Sequence, residues 1–159
     1  VSIIILRMNA KLALKQLTEL LDPGDEAVTS FANASAFLGE LLDDINWVGF
    51  YLLKGEALYL GPFQGKPACT RIAVGKGVCG TAIQKDCTLR VDNVHEFPGH
   101  IACDCASNSE IVVVLHGENG SQLGVLDIDS PLFSRFSEED EAFLTEAAEI
   151  ISRAAAQKL

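Results

Sequence analysis

EIVVVLHGENGSQLGVLDID, residues 110–129, decides the fold. Its two ends are apolar runs of strand length, rich in β-branched residues, and Gly117-Glu118-Asn119-Gly120 between them has turn chemistry. The stretch predicts an antiparallel hairpin with strands over 110–116 and 121–129. A second hairpin lies upstream, where 46–53 (NWVGFYLL) and 57–63 are joined by Lys54-Gly55-Glu56. Pro62 limits pairing at the end of its second strand. Successive hairpins imply a largely antiparallel sheet.

Helices surround this sheet in sequence. Leu12, Leu14, Leu17, Leu20 and Leu21 recur at helical spacing over 10–21, and Asp22-Pro23-Gly24 stops that helix. Asp25 is expected to cap a second helix to about residue 43, with Val28, Phe31, Leu38, Leu41 and Leu42 on one side. Short strands are expected over 70–74 and 88–91, with the Gly75-Lys76-Gly77 turn and a short helix over 78–85 between them. Ser137 and Asp140 have capping-box spacing ahead of a helix with an apolar stripe at Phe143, Leu144, Ala147, Ile150, Ile151 and Ala154. Helices at both chain ends with a hairpin-built sheet between them predict one α+β domain over 1–159. Residues 1–7, ahead of Met8, are set apart as an upstream extension. Residues 92–109 have no period of either kind, and so long an irregular connection within a domain is usually functional or disordered.

The chain has 159 residues, 48% of them hydrophobic, which is enough for a real core. A net charge of −10 and a pI near 4.6 argue against nucleic acid and anionic membranes as partners. No apolar run approaches the ~20 residues a membrane helix needs. The apolar run Ile3-Ile4-Ile5-Leu6 is too short for a secretion signal. Five cysteines without such a signal predict a reducing, cytoplasmic setting with thiols free at rest and mostly packed in the core.

The most reactive stretch is HIACDCASNSE, residues 100–110. Cys103 is either a thiolate nucleophile or a loop cysteine tucked inward. His95, His100, Cys103 and Cys105 have the elements of a zinc site, but C-x-C is tighter than the usual ligand spacing, and no metal is expected. Glu110, Asp127 and Asp129 lie at neighbouring ends of the hairpin strands. Their mutual repulsion would keep at least one protonated, as a proton donor. The competing reading turns both aspartates to solvent around Ile128. Gly75-Lys76-Gly77 lacks the rest of a phosphate-binding pattern and reads as a turn. Trp47 and Tyr51 share one strand face, as core packing or as a ligand wall.

Taken together, Asn46-Trp47-Val48-Gly49-Phe50-Tyr51-Leu52, Gly61-Pro62-Phe63-Gln64-Gly65-Lys66, Gly75-Lys76-Gly77-Val78-Cys79-Gly80-Thr81-Ala82, His100-Ile101-Ala102-Cys103-Asp104, Ser107-Asn108-Ser109-Glu110 and Gly124-Val125-Leu126-Asp127-Ile128-Asp129-Ser130 resemble one family. It is the free methionine-(R)-sulfoxide reductases, which are single GAF domains. The resemblance implies a six-stranded antiparallel sheet between helices, with first and last helices adjacent on a surface that often forms a homodimer. It implies reduction of free methionine (R)-sulfoxide without a cofactor, with thioredoxin returning the electrons. By position, Cys103 is similar to the family's attacking cysteine, Cys69 to its resolving cysteine, and Cys79 to a third cysteine that helps in resolution. Glu110, Asp127 and Asp129 match the acidic pocket residues, and Trp47 and Tyr51 the aromatic wall.

The chemistry suits these groups. A sulfoxide sulfur is attacked readily once its oxygen is protonated, so an acid must face a thiolate. Three positions depart from the family pattern. Val114 replaces an expected proline, Cys105 adds a thiol beside Cys103, and Cys87 has no family role and is expected to pack. The rival readings are a non-catalytic GAF module that binds a small molecule, and a zinc-stabilised domain.

Overall fold

The computed structural model describes residues 3–99 and 106–159, with side chains from residue 9. Its elements follow the predicted order: α1 (Ile3–Leu20), α2 (Ala27–Leu41), β1 (Trp47–Lys54), β2 (Ala57–Gly65), β3 (Arg71–Ala73), α3 (Gly77–Lys85), β4 (Leu89–Val91), β5 (Ser109–His116), β6 (Gln122–Ser130) and α4 (Glu138–Ala155). Single turns of 3-10 helix occupy Val94–Glu96 and Ala156–Lys158.

The strands form one six-stranded sheet in the order β3-β2-β1-β6-β5-β4, every neighbour antiparallel. Both hairpins form where turn chemistry placed them. The β1–β2 register shifts between Gly49 and Tyr51, whose partners are Phe63 and Leu60. Gly61 and Pro62 thus bulge opposite Phe50, which accommodates a residue without an N–H. At the centre, β1 pairs with β6, elements nearly seventy residues apart in sequence. Gly124 permits this approach, since a Cβ there would lie 2.1 Å from the Tyr51 carbonyl oxygen and its φ is +152°.

Period-2 alternation sends each strand's side chains to two separate cores. On one face Val48, Phe50, Ile111, Val113, Leu126 and Ile128 meet Leu17 of α1, Phe31 and Leu38 of α2, and Leu144 and Ile151 of α4. On the other, Trp47, Tyr51, Val112, Val114 and Val125 meet Leu58, Ile72 and the α3 residues Val78, Ala82 and Ile83. Val114, at the position expected to be proline, simply packs in this second core. Helix α1 packs on α4, as the resemblance implies. The predicted capping box is present: Asp140 N–H donates to Ser137 Oγ at 3.1 Å and Ser137 N–H to Asp140 Oδ2 at 2.8 Å.

Several local expectations are corrected. Helix α2 has Glu26, not Asp25, at its N-cap, and no side chain caps it. Its buried stripe runs through Ala27, Phe31, Ala34, Ser35 and Leu38, which leaves Val28 one position off the stripe and 62% exposed. Leu12, Leu20 and Leu41 are likewise exposed. Cys87 does not pack. It is an exposed free thiol just after the left-handed C-cap Asp86, where the chain turns from α3 towards β4. Among the described residues, no helix is long and apolar enough to cross a membrane.

Candidate active site

The pocket follows from strand register. Pairing of β5 with β6 sets Glu110 opposite Asp129 and Val112 opposite Asp127. Pairing of β1 with β6 sets Trp47 opposite Asp129 and Gly49 opposite Asp127. Glu110, Asp127, Asp129, Trp47 and Tyr51 therefore share one face of three adjacent strands. The aspartates do alternate around Ile128, but α3 and the segment from Lys66 to Ala68 cover their face. The solvent-facing reading fails for that reason. Glu110 and Asp127 are each 6% exposed and Asp129 is half-buried.

The walls are as specific as the floor. Trp47 stacks with both Tyr51 (centroids 5.9 Å apart) and Phe63 (5.2 Å). Gly49 makes room for the indole, since a Cβ there would lie 2.8 Å from its ring. Lys66, Pro67, Ala68, Ile72, Gly77, Val78, Cys79 and Ser107 complete the lining. Gly49 and Ser107 were not singled out from sequence. A glycine inside an otherwise bulky strand was the available signal for the first. Gly75-Lys76-Gly77 forms the turn into α3, as expected.

Burial drives the electrostatics. Glu110 is held well above the ordinary carboxylate range by desolvation first, then by the charges of Asp127 and Asp129, and by its hydrogen bond with Asp127. Asp127 is pushed up to about 6 by desolvation, opposed by hydrogen bonds from Glu110 and Cys79. Glu110 thus keeps the proton and donates it towards Asp127. Desolvation, then the charges of Asp127, Glu110 and Asp129, pushes the Cys79 thiol well up, so it rests as a neutral S–H 4.0 Å from Glu110 Oε1. Asp127 Oδ1 is buried without a hydrogen-bond partner.

Such a cluster costs stability. A carboxyl whose folded pKa is raised favours the fold below its unfolded value, near 4, and loses that contribution as pH rises through its folded value. For Asp127 the window runs from about 4 to above 6. Asp127→Asn is therefore expected to stabilise the protein by about 1–3 kcal/mol at pH 7.5 and hardly at all near pH 4. Melting curves at the two pH values check this. Equal melting of variant and parent at pH 7.5 would contradict the electrostatic picture.

The cysteines divide. Cys69, half-buried next to Ala68 of the pocket lining, is in a disulfide, which differs from the expectation of resting free thiols. Cys79 and Cys87 are free, so neither is its partner. Cys103, Cys105 and His100 lie outside the described residues, and with them the expected nucleophile and most of the proposed zinc set. His95 is exposed, with Nε2 2.8 Å from Asn108 Oδ1. The returning limb of the 92–109 connection is pinned over the floor: Asn46 Nδ2 donates to Ser107 Oγ at 3.1 Å, and Asn108 N–H to the Ser130 carbonyl at 2.8 Å.

Comparison with known proteins agrees with this arrangement. A GAF domain family model matches residues 26–155. The chain is 60% identical over 114 residues to free methionine-R-sulfoxide reductase of Escherichia coli, covering 72% of this chain and 68% of that one. It is 50% identical over 149 residues to Protein YtsP of Bacillus subtilis, covering 92% and 91%. The structure of fRMsr of Staphylococcus aureus in complex with substrate superposes with a TM-score of 0.86 at 46% identity, over 92% of this chain and 95% of that one. A GAF sheet with paired carboxylates under a stacked aromatic wall, in a chain this similar throughout, makes the protein a member of the free methionine-R-sulfoxide reductase family.

Proposed function

We propose that the protein is an oxidoreductase that reduces free methionine (R)-sulfoxide to methionine. The observation that carries this reading is a protonated carboxyl, Glu110, at the floor of a pocket lined by Ala68, the residue before the disulfide-bonded Cys69. The sulfoxide oxygen accepts the Glu110 proton, which makes the sulfur electrophilic. The Cys103 thiolate takes the oxygen: the substrate S–O bond breaks, an S–O bond to Cys103 forms, and two electrons pass from the thiolate to the substrate sulfur. Methionine leaves. The Cys69 thiol then attacks the Cys103 sulfenic acid, giving a disulfide and water. The dithiol of thioredoxin reduces that disulfide and is itself oxidised.

The roles of the remaining groups follow from their surroundings. Asp127 Oδ1 lacks a partner and, with Asp129, suits the ammonium of a free amino acid, which a residue within a peptide does not have. Trp47 and Tyr51 offer an apolar face to the methyl group. Cys79 is a poor nucleophile as a buried neutral thiol, which favours Cys69 as the main resolving group. The acidic surface and a reducing, cytoplasmic setting accord with this chemistry, and the α1–α4 face suits a homodimer.

The test is NADPH consumption coupled through thioredoxin reductase and thioredoxin. Turnover is expected with free methionine (R)-sulfoxide, and none with the S epimer or with a methionine sulfoxide inside a peptide. Equal rates on the peptide would remove the role given to Asp127 and Asp129, and no turnover of the free R epimer would sink the reading.

A further inference from the structure

Trp47 and Tyr51 carry polar heads that an apolar wall does not need. Tyr51 is 2% exposed, yet its hydroxyl donates to the Cys69 carbonyl at 2.9 Å. Trp47 is 4% exposed, and its Nε1–H donates to the Lys66 carbonyl at 3.1 Å. The next carbonyl, that of Thr70, accepts from Leu60 N–H at 3.1 Å, one step before β3 pairs with β2. Three carbonyls in five residues are thus tied to β1 and β2, and the segment they hold carries the disulfide-bonded cysteine. Both donors project from one strand and stack on each other. Burial and the nearby carboxylates hold the Tyr51 phenol well above its ordinary range, so its hydroxyl stays a donor.

We propose that Tyr51, supported by Trp47, is a positioning residue for disulfide formation: its hydroxyl latches the Cys69 backbone so that this thiol reaches the sulfenic acid. This rests on the reading of Cys69 as the resolving thiol. An untethered segment samples many positions, and only a fraction place its sulfur in line with the S–OH bond. Holding one cysteine on a rigid β1 removes most of that search. The rings that would face the substrate methyl also hold the thiol that acts next, so binding and resolution share one support.

The reduced protein is mixed with free methionine (R)-sulfoxide without thioredoxin and quenched at intervals with dimedone and an alkylating reagent. Mass spectrometry then follows the Cys103 sulfenic acid and the Cys103–Cys69 disulfide. Tyr51→Phe keeps the ring and removes the hydroxyl. It is expected to slow disulfide formation about tenfold, the scale of one buried hydrogen bond. The dimedone-trapped share should rise accordingly, and the coupled assay should lose kcat with little change in KM. Trp47→Phe, which removes the N–H and keeps an aromatic ring, should act in the same direction. Disulfide formation at the parent rate in Tyr51→Phe overturns the latch. So does a rise in KM alone, which leaves Tyr51 as wall only. Faster reduction by thioredoxin with unchanged formation also overturns it, since the contact would then belong to the oxidised product. A parent protein yielding methionine but a disulfide without Cys69 overturns the relay and the latch together. A parent yielding no methionine overturns the proposed function itself.

Discussion

Glu110→Gln is expected to lower kcat/KM for free methionine (R)-sulfoxide by about 10²- to 10⁴-fold, the usual contribution of a positioned general acid. Glutamine nearly matches glutamate in shape and can still donate to Asp127, so the pocket should keep its form. It cannot pass a proton to the sulfoxide oxygen. The variant should melt no lower than the parent at neutral pH, because it removes a titratable group whose burial is costly. Lost activity with retained stability separates a chemical role from a structural one.

The pH profile sharpens this test. If the proposed mechanism holds, the parent's active form has Glu110 protonated, and the rate should fall on the alkaline side as pH rises through its elevated pKa. Glu110→Gln should lose that limb along with its activity. A variant that kept parental kcat/KM would show that another group supplies the proton. Asp127, pushed up to about 6, would be the first to examine.

Cys69→Ser is expected to produce about one methionine per chain and then stall, a loss of sustained turnover rather than of the first reduction. Cys103→Ser should produce none. The contrast depends on which sulfur takes the oxygen and which closes the disulfide. With Cys69 absent, Cys79 is the described thiol that lines the pocket, but burial and the surrounding acidic groups keep it protonated, and the thiolate is the species that attacks. Rescue through Cys79 should therefore be slow. Cys105 offers a second route, and sustained turnover in Cys69→Ser that disappears in Cys69→Ser/Cys105→Ser would assign resolution to Cys105. Methionine counted by chromatography, with thioredoxin present and absent, reads the stoichiometry directly.

Much of the fold is local and was legible in the sequence. The Gly117-Glu118-Asn119-Gly120 and Lys54-Gly55-Glu56 turns define their hairpins, because turn residues act on their immediate neighbours. Ser137 and Asp140 define the start of α4 for the same reason. Motif order carried the family, and with it the roles expected of Cys69, Cys103 and Glu110. Helix faces were less legible. Val28 and Leu41 have apolar side chains at nearly helical spacing, yet a shift of one position, about 100°, carries a residue from buried stripe to surface. Cys87 is exposed because a left-handed cap turns the chain outward, which composition does not record.

Only the tertiary structure decided that β1 lies beside β6, and the site depends on it. Alternation along β6 puts Asp127 and Asp129 on the face opposite Ile128, but alternation does not say which faces are covered. Here both are, because α1, α2 and α4 pack on one and α3 with the Lys66–Ala68 segment on the other. The same carboxylates on a solvated face would ionise freely. Between Trp47 and Cys79, Asp127 instead shares a proton with the buried Glu110 and keeps one oxygen unpartnered. The sequence alone determined which groups are present and which short turns form. Long-range pairing, driven by burial of two apolar faces at once, decided which groups meet, how far water is excluded, and hence which of them is an acid.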